Sequence, residues 1–107
     1  MFVHETGGGL RGVAGFHGWS GDHQTFAPLW KKMPPEWVFF SFDLPGCGAS
    51  EKPKEWSFRA MAREVAESVV ELGMRDLVLV GSCSGAILTA FVARELREMG
   101  RPEVVGR

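Results

Sequence analysis

The stretch that decides the fold is Leu77-Val78-Leu79-Val80-Gly81-Ser82-Cys83-Ser84-Gly85-Ala86-Ile87-Leu88. A short, β-branched, continuously apolar run stops at a glycine, and a helical pattern starts almost at once. The run Leu77 to Val80 has the character of a strand buried on both faces. From Ser84 to about Met99 the apolar positions Ile87, Leu88, Phe91, Val92 and Leu96 predict the buried stripe of a helix, ended by Gly100 and Pro102. Between the two lies a G-x-C-x-G turn. A turn this tight packs the residues two before and two after its centre against each other, so only small side chains fit there. Gly81 and Gly85 meet that demand around Cys83. Centring the turn on Ser84 would put Ser82 and Ala86 in those places, a poorer fit.

Working outward, the same alternation of short apolar runs and amphipathic stretches recurs. Gly12 to Phe16 and Trp37 to Phe42 read as further buried strands, and Phe2 to Glu5 as an edge strand before Gly7-Gly8-Gly9. From Phe58 the positions Met61, Ala62, Val65, Val69 and Leu72 repeat with a helical period. Ser57 is placed as N-cap, Trp56 and Met61 sit at staple spacing, and Gly73 is a stop. Trp, Phe and Met on these stripes are read as core and the charged residues as solvated faces. Helices between strands, with right-handed crossovers, predict an α/β fold with a mostly parallel sheet. In such sheets ligands bind at the carboxyl ends of the strands, and the unusual sequence lies there.

Those ends carry two more motifs. His17-Gly18-Trp19-Ser20-Gly21 follows the first strong strand, and Asp43-Leu44-Pro45-Gly46-Cys47-Gly48-Ala49-Ser50 follows the next. Together with the glycine-flanked Cys83, these segments in this order resemble the α/β-hydrolase superfamily, over about Gly12 to Gly100. The resemblance implies that Cys83 occupies the nucleophile position, with the backbone N–H groups of Trp19 and Ser84 as oxyanion donors. It also implies that His17, Gly18, Asp43, Gly46, Ser50, Gly81 and Gly85 shape the loops, with Cys47 at a variable position. His4 and His23 match no catalytic position and are read as exposed polar residues. Chemically, the helix starting at Ser84 presents its partial positive end beside Cys83, which favours an anion there.

Cysteine replaces the commoner serine, as in dienelactone hydrolases and polyhydroxyalkanoate synthases, though neither is matched closely. The family order is nucleophile, acid, histidine, with the last two on loops after later strands. Nothing after Pro102 is long enough to carry them. The tail Glu103-Val104-Val105-Gly106-Arg107 is read as the approach to a next strand. The expectation is therefore the N-terminal part of a single α/β-hydrolase domain, residues 1–107, incomplete because its C-terminal strands are missing, and nearly inactive alone. Leu77 to Val80 would then be an unprotected edge through which chains could associate. The reaction expected is nucleophilic attack on an ester or thioester carbonyl of a small acyl substrate. Acyl transfer to an alcohol or amine, and a non-catalytic interaction module, are the alternatives.

Composition narrows the partners. The chain of 107 residues is 45% hydrophobic and 23% charged with net charge −1, which gives no electrostatic reason to expect nucleic acid or an anionic membrane. No apolar run approaches the roughly 20 residues needed to span a bilayer. The start has no basic segment followed by an apolar one, so no secretory signal is read. Two cysteines make neither a disulfide framework nor a zinc pattern. The expectation is a cytoplasmic protein with free thiols, no cofactor and no metal.

Overall fold

A computed structural model describes residues 1–105. Four strands, β1 (Val3–Gly7), β2 (Arg11–Phe16), β3 (Trp37–Phe42) and β4 (Val78–Gly81), form one sheet in the order β1-β3-β2-β4. β2 pairs in parallel with both β3 and β4, with Phe16 opposite Phe42 and Gly81, while β1 runs antiparallel to β3. The three parallel strands therefore end level, and the segments starting at His17, Asp43 and Ser82 leave from the same edge of the sheet.

The two long crossover helices bury most of the positions their period predicts. α2 (Phe58–Glu71) and α3 (Ser84–Glu98) cover one face, where Ala62, Val65, Val69, Leu88, Val92 and Leu96 pack into one cluster with Phe16, Phe40 and Phe42. Ser57 caps α2 by accepting the Ala60 N–H at 3.1 Å. On the opposite face Phe39 meets Phe26 and Trp30, with ring centroids 5.6 and 6.2 Å away. Phe26 ends a short 3-10 turn (His23–Phe26), and Trp30 ends the single-turn α1 (Ala27–Trp30).

Three expectations are corrected. Ile87 is 55% exposed and does not belong to the buried stripe of α3. The helix turns Gly85, Leu88, Val92, Glu95 and Leu96 inward, leaving Phe91 at the margin stacked on Phe58 at 5.8 Å. Glu95 lies buried at the seam between the two long helices and pairs with Arg63 at 3.6 Å, instead of facing solvent. Third, β4 is not buried on both faces, for Val78 is 45% exposed. β4 closes one side of the sheet, as the edge reading anticipates. The tail begins to cover it: Leu77 donates its N–H to Val104 O at 2.8 Å and forms a parallel bridge with Val105. Gly106 and Arg107, the end of that expected approach, lie outside the described residues. Among the described residues no helix is long and apolar enough to cross a membrane.

Candidate active site

The turn between β4 and α3 holds Cys83 at φ 54°, ψ −120°, a backbone conformation costly for a residue with a side chain. Its neighbours show what imposes it. A Cβ on Gly81 would run into the backbone of Gly85 and Ala86, and one on Gly85 would strike the carbonyl oxygens of Phe16 and His17. The start of α3 is thus pressed onto the end of β2, and the chain rounds the corner with Cys83 exposed at its tip.

The His17–Gly21 segment sits against that corner. A Cβ on Gly18 would lie 2.9 Å from both the Cβ of Cys83 and the carbonyl oxygen of Ser82. His17 is buried, its Nε2 accepts the Leu44 N–H at 3.0 Å, and its Nδ1 lies 2.7 Å from Gly18 O. That geometry selects the Nδ1–H tautomer and engages both ring nitrogens with backbone, so the ring ties two loops together. The Trp19 indole is 78% exposed, and its backbone N–H donates to the Ser84 hydroxyl at 2.9 Å. The N–H of Ser84 has no acceptor among the described residues.

Asp43 organises the third loop. Its fully buried carboxylate accepts the His23 N–H at 2.7 Å and faces the His23 Nδ1 at 2.9 Å through one oxygen, and accepts the Ala49 N–H at 2.8 Å through the other. Ser50 donates its hydroxyl to Asp43 O and accepts the Phe2 N–H at 2.8 Å, fastening the loop to the start of the chain. Gly46 stands at φ 82°, where a Cβ would meet the Trp56 ring. Burial pushes the Asp43 carboxyl up, but the bonds from Ala49 and His23 outweigh it and hold the group below its ordinary value. A depressed folded value means that this stability is complete above the unfolded value of about 3.9 and is lost as pH falls through the folded one. Asp43→Asn should therefore cost about 3 kcal/mol at neutral pH, since an amide must turn a donor toward these N–H groups. Denaturant titrations at neutral and acidic pH should show the difference from the parent protein shrinking below about pH 4.

His23 and His4 are thus not the exposed polar residues expected. Both are half-buried, and His4 stacks on Trp30 at 4.5 Å and on His23 at 5.3 Å. Asp22, His23 and Asp43 bring potential ligand atoms within 4.8 Å of one another, a grouping that the spacing in sequence hides. Asp22 already caps Gln24 and Asp43 already accepts from His23 and Ala49, so these donors are spent on the loops and we assign no metal to them.

Beside the corner opens a cavity of about 220 Å³, bounded by Trp19, Leu44, Trp56, Phe58, Met61 and Leu88, with Ser84 and Cys47 also on its wall. Burial, and then the negative charge of Asp43, push the Cys47 thiol up, which leaves it a weak nucleophile at neutral pH.

A parallel sheet whose strand ends carry a strained, exposed turn residue under a glycine-rich loop has the architecture of an α/β hydrolase. The sequence profile of the alpha/beta hydrolase family matches residues 2–106, and the chain belongs to that family. It is 27% identical over 85 residues to a Mycoplasma pneumoniae protein provisionally named esterase/lipase 2, matching 77% of this chain and 32% of that protein. Among solved structures it resembles a marine microorganism esterase, with TM-score 0.82 and 15% identity over 97% of this chain and 38% of that one. It also resembles the N-acyl homoserine lactonase AidH, with TM-score 0.79 and 26% identity over 90% of this chain and 37% of that one. The chain thus spans about a third of the length of these relatives.

Proposed function

We propose that Cys83 is the nucleophile of an acyl-transfer hydrolase acting on an ester or thioester carbonyl. The observation that carries this reading is the left-handed, exposed Cys83 with the Gly18 loop against its Cβ. Strain of this kind persists only where the surroundings enforce it, and here it holds a thiol free of the sheet and next to the unpaired N–H of Ser84. The apolar walls of the adjacent cavity favour a substrate with an apolar group next to the reacting carbonyl.

His17 is committed to backbone on both ring nitrogens and His23 to Asp43. No histidine side chain hydrogen-bonds Cys83 among the described residues, so we assign none of them as general base for the thiol or for the deacylating water. The reading is of a reducing, cytoplasmic compartment that keeps Cys47 and Cys83 as thiols. Incubation with an activated acetyl ester, followed by peptide mapping, should place the acetyl group on Cys83. Label confined to Cys47 would overturn the assignment.

A further inference from the structure

We infer that the Ser84 hydroxyl is itself an oxyanion donor, and that the Trp19 N–H acts through it instead of on the substrate directly. This rests on the acyl-transfer reading above. The Ser84 oxygen stands 2.9 Å from the Trp19 nitrogen and accepts its hydrogen. A carbonyl oxygen entering beside Cys83 cannot take that N–H without first displacing the hydroxyl. The displacement is unnecessary, because a hydroxyl donates while it accepts. Its proton has no acceptor among the described residues, and accepting from Trp19 makes it the stronger donor. Ser84 directly follows Cys83, so sulfur, N–H and O–H belong to two successive residues and can address one carbonyl group. Gly18 is the residue that lets Trp19 come this close, since its missing side chain would occupy the space beside Cys83.

In the step itself the Cys83 thiolate attacks the ester carbonyl carbon. A carbon–sulfur bond forms and the carbonyl π pair moves onto oxygen. The Ser84 N–H and O–H hydrogen-bond that oxygen and keep their protons. The pair then returns, the carbon–oxygen bond to the leaving group breaks, and a thioester and an alkoxide or phenolate result. Ser84 is a contact to the reacting atoms, and Trp19 is a positioning residue.

The test compares two reagents at Cys83, quantified by peptide mapping at about pH 9, above the ordinary thiol value. Acylation by p-nitrophenyl acetate passes through an oxyanion; alkylation by iodoacetamide does not, yet reports the same exposure and thiolate fraction. Ser84→Ala should lower the ratio of acylation to alkylation about a hundredfold, the effect of removing one preorganised donor. Ser84→Gly should fall with it, and Ser84→Thr should keep the ratio within a few-fold of the parent. A ratio unchanged or raised in Ser84→Ala and Ser84→Gly would overturn the inference, the latter outcome marking the hydroxyl as a plug. If the parent protein itself shows no higher ratio than a small free thiol such as N-acetylcysteine, it is the acyl-transfer reading that fails.

Discussion

Mixed with p-nitrophenyl acetate, the protein is expected to release about one equivalent of nitrophenolate per chain and then stall, and Cys83→Ala is expected to release none above the slow reaction of Cys47. The burst follows from an exposed thiol beside preorganised donors, which for a single oxyanion contact is worth about two to three orders of magnitude in rate. The stall follows from the histidines. A thioester hydrolyses quickly only if a base activates water against it, and among the described residues no histidine side chain bonds Cys83: His17 has both ring nitrogens on backbone, His23 faces Asp43 and His4 faces Thr6. Enzymes deprived of triad members keep only a residue of their rate, from binding and the oxyanion contacts. Intact mass should show an acetylated protein that persists for the length of the assay. Sustained turnover that disappears in Cys83→Ala would mean that a base within these residues had been overlooked.

Gly85→Ala is expected to be strongly destabilising. The added carbon has backbone on its far side, the carbonyl oxygens of Phe16 and His17, and neither can rotate away as a side chain would. Overpacking against side chains costs about 1 to 3 kcal/mol, and rigid backbone puts this site at or above the upper figure. A domain of this size commonly has about 5 to 15 kcal/mol in total, so a loss of about 3 kcal/mol should lower the melting temperature by roughly 15 °C. Gly73→Ala provides the comparison: φ is 71° there, but nothing lies within 4 Å of the added carbon, leaving only the left-handed backbone cost of about 1 to 2 kcal/mol. Thermal unfolding of the two variants side by side separates steric exclusion at the corner from ordinary glycine effects.

The corner was legible in the sequence because its requirements are local. Gly81 is dictated by a clash with Gly85 and Ala86 only a few positions on, and the apolar run before it and helical period after it fix which turn this is; the close approach of Gly85 to Phe16 and His17 crosses from α3 to β2 and is not written in the local pattern. The same holds for Ser57, whose capping bond spans three residues. What the sequence hides is long-range. His23 reads as an ordinary surface residue until the sheet brings Asp43, twenty positions later, to its side. Ile87 keeps helical spacing with Phe91, yet α3 is rolled so that Leu88, Val92 and Leu96 face the sheet and α2, and Ile87 turns to solvent. Ser84 was named for its backbone N–H, and its side-chain bond to Trp19 spans 65 positions, which no periodicity can disclose.

The claim beneath the whole account is that the sulfur of residue 83 takes up an acyl group whose oxygen turns toward the main chain at the start of α3. A crystal structure of the protein after reaction with an activated ester addresses it directly. A thioester at Cys83 is expected, with its carbonyl oxygen about 3 Å from the Ser84 nitrogen. An acyl group on Cys47 alone, or a thioester at Cys83 with its oxygen pointing into solvent away from Ser84, would contradict it.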